Sequence, residues 1–499
     1  MEINPAVTFK HDRTIIHAKR PKVLIVGAGL GGLTLGMILQ KTNIPFEIIE
    51  RSGIAINCTV TPAFKQCGIY DELVSISKAL DTLNISNEDR GIEFVIADNE
   101  DPTKRYGSGS RLITRPKLYD LLWRQVPRER IHMSKKVLST HQGGNGVLVR
   151  CADGSEFEGD ILVGADGAYS AVRQNLYIQL KKVNRLPASD ALPLPFMNTR
   201  PLTPIEFPDL EKVKYQFYNT LSRDTPYAWM TLTTKENTVC FVVIQFMTSE
   251  TSKDNDAFRN SEWGPEAAQA MCDEVRHFPI ISGGGGVGEG KLTSGNLFDV
   301  APKEYMSKVM LEEKVFKTWY DCRTVLIGDA CHKLNPSGGA GATNAIHDAI
   351  VLANYIHALP DHPIADEIEG AFKAYQEERF EWVQSAFDTS QTFRNMVDKG
   401  AKAKITRLVM KNLPGWIFSK FEERMLSNRP QVYFLPLDQT ELTMKPAYQP
   451  SLYAGERAKK ETVASIVVGL LHTGLMEGFI VDDWARVDRW SVPLDLVHS

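Results

Sequence analysis

The stretch from Lys22 to Arg51, KVLIVGAGLGGLTLGMILQKTNIPFEIIER, constrains the chain most, because it reads as strand, glycine turn, helix and second strand without interruption. Val23 to Val26 is the short apolar run required of a strand covered on both faces. Gly27, Gly29 and Gly32 follow at GxGxxG spacing. At those offsets the first glycine permits a tight turn, the second lets a pyrophosphate approach the backbone, and the third lets the helix pack on the strand. The helix N-terminus offers free N–H groups and a positive dipole end to an anion. Pro45 to Ile49 supplies the second strand, and Glu50 ends it, placed to accept hydrogen bonds from a ribose diol, with Arg51 following. The unit predicts a dinucleotide site on a Rossmann-like α/β fold.

At 499 residues the chain exceeds what one core organises, so at least two lobes are expected. Its 57 basic and 61 acidic residues leave a formal net charge of −4, which gives no electrostatic reason to bind nucleic acid. Seven widely spaced cysteines without a CxxC pair indicate neither a disulfide framework nor a metal site. A reducing, cytoplasmic location is the expectation. Residues 1–21 have no apolar core of the kind a secretory signal needs and are read as an N-terminal extension.

Further along, Pro62 to Leu73 predicts a helix broken at Gly68, and Ile92 to Ala97 a strand. Arg115 stands at the entrance of an amphipathic helix starting near Pro116, where a structural ion pair is as good a reading as a ligand contact. Gly146 to Cys151 and Glu156 to Glu158 flank Asp153-Gly154 as a hairpin. The strand Asp160 to Val163 then runs into GADGAYSAVR. Asp166, Gly167, Ser170 and Arg173 in this turn either set backbone beside phosphates or simply cap a helix. From about Ala188 to Arg323, aromatic and β-branched runs such as Tyr227 to Thr233 and Thr238 to Phe246 predict an antiparallel sheet with an apolar wall, inserted into the first domain. The glycines from Gly283 to Gly290 read as a surface loop.

A third motif spans Thr324 to Ile356. A buried strand ends at Gly328-Asp329, a loop with Pro336 and several glycines follows, and a helix begins near Gly341. Asp329 can accept from a ribitol hydroxyl, while Gly341 and Ala342 present N–H donors to an anion and leave room for a flat ring. His332 is read as a structural hydrogen-bonding residue. Beyond His357 the chain is mostly helical, including Ile368 to Phe387. Lys402 to Leu426 is basic and apolar, suited to a packed helix pair or to peripheral contact with a membrane. Thr462 to Val481 is too interrupted for a membrane span.

With three ordered motifs, Lys22 to Arg379 resembles the flavin-dependent group A monooxygenases, similar to p-hydroxybenzoate hydroxylase and salicylate hydroxylase. Asn428-Arg429-Pro430 through Phe434-Leu435-Pro436-Leu437 looks like a pattern of fungal FAD-binding monooxygenases. The expected organisation is an FAD-binding domain from residues 22–187 and 324–387, a substrate-binding sheet from 188–323, and a C-terminal helical region from 388–499. The resemblance implies that Glu50 holds the adenosine ribose, that Gly27, Gly29 and Gly32 flank the pyrophosphate, and that Arg115 contacts FAD. It places Asp329 on the ribitol and pyrophosphate side, and Gly339, Gly341 and Ala342 along the isoalloxazine. Asp166 and Gly167 would lie near the pyrophosphate, in a region shared with the nicotinamide cofactor.

No second Rossmann fingerprint is present, which suits a family whose flavin is reduced by NAD(P)H without a separate nucleotide-binding domain. The implied reaction is hydride transfer to the flavin, O2 addition to give a C4a-hydroperoxyflavin, and transfer of one oxygen to an aromatic or lipophilic small molecule by hydroxylation or epoxidation. No catalytic side chain is singled out. Two departures stand out: the segment after Arg51 is about eight residues shorter than usual in the family, and Ala340 occupies the place of a glutamine. Competing readings are a reductase of the geranylgeranyl-reductase type, which shares the fold, and a flavin-binding protein without turnover.

Overall fold

The computed structural model describes residues 20–50, 58–80, 82–86, 92–97, 107–191, 196–199, 205–206, 217–222, 225, 227–233, 235, 238–245, 272–280, 293–301, 309–335, 339–395, 408 and 426–436. It opens with β1 (Val23–Val26), buried at all four residues, and with α1 (Leu30–Leu39), buried along its whole length. A strand and helix this apolar are stable only inside a layered sheet. The chain returns in β2 (Phe46–Glu50), parallel to β1, with Val26 opposite Ile49. Glycines make this unit tight. A Cβ on Gly32 would lie 1.9 Å from the Gly27 carbonyl oxygen, and one on Gly36 would lie 2.8 Å from Ile48.

The predicted helix after Pro62 appears as α2 (Thr61–Gln66) and α3 (Tyr70–Ile76), broken where Gly68 adopts φ +78°. Next come β3 (Thr82–Ser86), β4 (Ile92–Ala97), α4 (Arg115–Trp123) and β5 (Ile131–Met133). The antiparallel trio β6 (Val137–Gly143), β7 (Gly146–Cys151) and β8 (Glu156–Gly159) contains the predicted Asp153-Gly154 hairpin. Then β9 (Ile161–Gly164) leads into α5 (Ala171–Lys182).

The later strands are β10 (Phe196–Thr199), β11 (Phe217–Leu221), β12 (Tyr227–Thr233) and β13 (Thr238–Gln245). After α6 (Ser294–Val300) come β14 (Val309–Glu312), β15 (Lys314–Val315), β16 (Tyr320–Asp321), β17 (Thr324–Leu326) and β18 (His332–Lys333). Two long helices follow, α7 (Gly341–Ala358) and α8 (Ala365–Asn395).

One six-stranded sheet has the order β16-β17-β9-β1-β2-β5 and is parallel except for β16. Its register aligns the strand ends: Val26 lies opposite both Ile49 and Gly164, and Gly164 lies opposite Leu326. The turns that follow β17, β9, β1 and β2 therefore emerge along one edge, the edge where open α/β sheets bind ligands.

The larger sheet has the order β14-β10-β13-β12-β11-β3-β4, with Ile205–Glu206 added beside β13. It is mainly antiparallel, but β3 joins β11 in parallel. The sheet thus draws on residues 82–97, far upstream of the 188–323 segment that supplies most of it. One face of it is filled with aromatic rings. Trp229 stacks on Phe278 at 4.4 Å and donates to the Pro279 carbonyl at 2.8 Å, and Phe241 lies 5.1 Å from Phe298. At its edge β14 continues through Glu313 into β15, which pairs with β18 of the third motif.

Arg51, the Gly283 to Gly290 run and the Thr462 to Val481 segment lie outside the described residues, as does nearly all of Lys402 to Leu426. Among the described residues no helix is long and apolar enough to cross a membrane.

Candidate active site

The three sequence motifs meet at the aligned strand ends. Gly27 adopts φ +109°, and a Cβ there would lie 2.3 Å from the Ala165 carbonyl oxygen and 2.7 Å from the Asp166 nitrogen. The glycine turn after β1 is therefore pressed directly against the turn after β9. Gly29 caps α1 without any side-chain hydrogen bond, so the first N–H groups of that helix are left for another acceptor. On the far side of β1, Glu50 ends β2 at 3% exposure. Its charge adds to burial in pushing the Tyr119 phenol up to about 12.

Asp166 has work of its own. Its carboxylate accepts from Ser170 Oγ at 2.5 Å and from the Val172 N–H at 3.1 Å, while Ser170 Oγ accepts from the Arg173 N–H at 2.9 Å. These bonds cap α5, as the plainer of the two sequence readings had it. Burial still pushes the Asp166 carboxyl upward, against the pull of those bonds. Gly167 turns at φ +78° with open space where a Cβ would stand. Arg173 donates to the Ala330 carbonyl at 2.7 Å and to the Ala168 carbonyl at 2.7 Å, joining the second motif to the third.

Asp329 follows β17 in a turn that Gly328 makes at φ +60°. Its side chain is exposed at the surface, with protein packed around it. That enclosure pushes its carboxyl up, while His332, Lys333, Arg173 and Arg115 pull it down. Arg115 begins α4 half-buried, and burial lowers its guanidinium against the opposing charge of Asp329. So the structure brings Arg115 and Asp329 to one place. The N-terminus of α7 has no side-chain cap, and Gly339 and Gly341 have nothing within 4 Å of a Cβ position. Ala342 is the second residue of that helix.

These features fit a dinucleotide cofactor with a flat ring. The glycine cradle cannot accept a side chain, two helix N-termini lack side-chain caps, and an accessible carboxylate is flanked by cations.

Sequence reasoning gave His332 a structural hydrogen-bonding role but missed Asp348 and Arg379, which with it hold the cradle in place. Asp348 of α7 is fully buried and accepts from the Gly328 N–H at 2.8 Å, from Arg379 Nε at 2.7 Å and pairs with His332 Nε2 at 2.6 Å. Burial pushes the Asp348 carboxyl up, but His332 and Arg379 outweigh it and hold it well below the usual carboxylate range. Arg379 Nη2 reaches Asn344 Oδ1 at 2.7 Å, and Asn344 Nδ2 donates to the carbonyl of Ala340, the residue before α7. One carboxylate therefore fixes both the Asp329 turn and the α7 N-terminus. The Cys331 thiol, His332 and Asp348 lie close together, but that thiol donates to backbone carbonyls and Asp348 is already engaged, so the trio reads as an internal cluster. A visible signal was Asn344 and Asp348, four residues apart on a helix otherwise apolar on that side.

The segment around Asn428 to Pro436 straps α7 to α2. Gln66 and Val432 exchange bonds at 2.8 and 2.9 Å, Asn354 bonds both Gln431 and Tyr433, and Phe434 stacks on His357 at 4.0 Å. Beneath the strap, His347 is held between Thr59 Oγ1 at 3.0 Å and Asn428 Nδ2 at 3.4 Å. Burial, with Arg379 nearby, lowers His347 to about 3, so the ring is neutral. With Asn428 donating to Nδ1, Nε2–H is the donor to Thr59.

The family described as FAD binding domain matches residues 20–279 and 292–390. FAD-dependent monooxygenase atmM of Aspergillus flavus is 26% identical over 453 residues, covering 84% of this chain and 87% of that protein. FAD-dependent monooxygenase paxM of Penicillium paxilli is 26% identical over 393 residues, covering 74% and 77%. Among solved structures, Klebsiella pneumoniae HpxO complexed with FAD and uric acid matches with TM-score 0.61 and 17% identity, covering 81% of this chain and 96% of that one. A salicylate hydroxylase substrate complex matches with TM-score 0.58 and 17% identity, covering 83% and 99%. At these identities the two structures speak for the fold, while the family match extends over all three motifs. The chain belongs to the FAD-binding-domain family, as a group A FAD-dependent monooxygenase.

Proposed function

We propose that FAD lies along the edge formed by the turns after β17, β9, β1 and β2, and that the enzyme uses NAD(P)H and O2 to put one oxygen atom on an aromatic or lipophilic small molecule by hydroxylation or epoxidation. The observation that carries this reading is the register, which sets Asp329, Asp166, Gly27 and Glu50 in that order across four neighbouring strands. When bound, the flavin supplies the electron transfer and the oxygen activation.

The residues then have distinct tasks. Glu50, shielded from competing water, accepts from the ribose hydroxyls. The backbone of Gly27, Gly29 and Gly32 lets the pyrophosphate reach the α1 N–H groups, with the Asp166-Gly167 turn closing the same space. Asp166 acts here through its backbone, because its carboxylate caps α5. Arg115 and Asp329 bring opposite charges to the ribitol and pyrophosphate side, and Gly339, Gly341 and Ala342 line the ring, with the α7 N-terminus steadying negative charge at its edge. The apolar sheet keeps water away from the reacting centre. Arg51 is carried as a cofactor contact on sequence grounds alone.

The test is substrate-stimulated NAD(P)H oxidation under isotopically labelled dioxygen. The expected product carries one labelled oxygen atom. A product reduced at a double bond, with no label, would instead favour the reductase reading.

A further inference from the structure

Side chains of a strand alternate between the two faces of its sheet. In β12, Tyr227 and Trp229 point into the aromatic cluster with Phe278. Ala228, Met230 and Leu232 therefore point the other way, alongside Val242 and Ile244 of β13, which lie opposite Met230 and Ala228. All five are exposed by 9% or less, yet none belongs to either of the two continuous apolar cores built by the described residues. Such a dry, apolar face makes a suitable wall for a small-molecule site.

Asn219 is on that wall. Its place in β11, opposite Met230, puts it among these apolar side chains at 7% exposure. Among the described residues its Oδ1 has no hydrogen-bond partner. The contrast with the reverse face is sharp, because there Thr220 and Ser86 are equally buried and bond each other at 2.9 Å. A buried amide oxygen without a donor destabilises a fold, and a leucine of similar size would remove the penalty.

We propose that Asn219 is the polar contact that selects the substrate, and that the substrate is a largely apolar molecule carrying a hydroxyl or N–H donor that bonds Asn219 Oδ1. This deepens the monooxygenase reading above and rests on it. The residue transfers no proton. It fixes one end of a molecule that the rest of the wall holds only by apolar contact, and so sets which carbon faces the flavin. A site built to receive a donor rejects an otherwise identical molecule lacking it, since Oδ1 is then left unmatched.

The experiment uses the full chain loaded with FAD, the variant Asn219→Leu, and the probe pair naphthol and naphthalene, with binding read by equilibrium dialysis and stability by thermal unfolding. Wild type is expected to bind naphthol about tenfold more tightly than naphthalene, the worth of one good hydrogen bond. The leucine variant is expected to retain FAD, to melt ~3 °C higher in the absence of probe, and to bind both probes alike. If it does not fold, Asn219→Ala reads the same loss of preference. A leucine variant that melts lower, a variant that still prefers naphthol, or a wild type that binds neither probe or both equally overturns the proposal. Failure of the wild type to hold FAD is a separate outcome, which would sink the monooxygenase reading itself.

Discussion

Gly27 shows how much a single position can decide. Its positive φ and its 2.3 Å approach to the Ala165 carbonyl leave no room for a methyl group. Gly27→Ala is expected to cost roughly 1–3 kcal/mol in backbone strain alone and to separate the turns after β1 and β9, so the variant should purify without flavin absorbance. That glycine's role was legible from GxGxxG spacing, because the turn is a local property of the chain. The Asp348 cluster was not, since its members are 16 and 31 residues apart and meet only once α7 and α8 have packed. Asp348→Asn leaves Arg379 buried without its counter-charge and should destabilise the protein by about 3–5 kcal/mol, measurable by urea unfolding.

His347 makes a prediction with a definite sign. Its folded-state value is lowered to about 3, whereas an unfolded histidine titrates near 6.5. Between those values the unfolded chain binds more protons, so the stabilisation is complete above about pH 6.5 and is lost as pH falls. From pH 7 to pH 5 the loss should be about 2 kcal/mol. His347→Gln should flatten that part of the pH profile, and an unchanged slope would show that the ring is not held neutral.

At the scale of elements, β1, α1, β2 and the start of α7 were readable because an apolar run, a glycine turn and a helical period each announce themselves locally. The pairing of β3 with β11 was not, because a strand's partner across more than a hundred residues depends on tertiary register and not on its own pattern. The strap from Asn428 to Pro436 was visible only as a family pattern, and its purpose came from its partners on α7 and α2. Asn354→Ala removes two side-chain bonds and leaves the buried Gln431 carbonyl and Tyr433 N–H without them. The expected loss is about 1–3 kcal/mol, with α7 detaching from the strap first and hydrogen exchange rising in both. Uniform exchange across the chain would contradict that order.

For the whole molecule, two sheets divide the labour: the parallel one aligns four turns along a single edge, and the larger one contributes an apolar wall joined to the third motif through Glu313. On the proposed reading the chemistry belongs to the first and the choice of substrate to the second. The most direct measurement is the visible spectrum of the purified full chain, recorded before and after adding NADPH or NADH without oxygen in the presence of candidate aromatic and lipophilic substrates. Bound-flavin absorbance that survives gel filtration and bleaches on reduction is the expected result. A colourless protein that takes up no FAD on titration, or a bound flavin that stays oxidised with both nicotinamide cofactors, would contradict it.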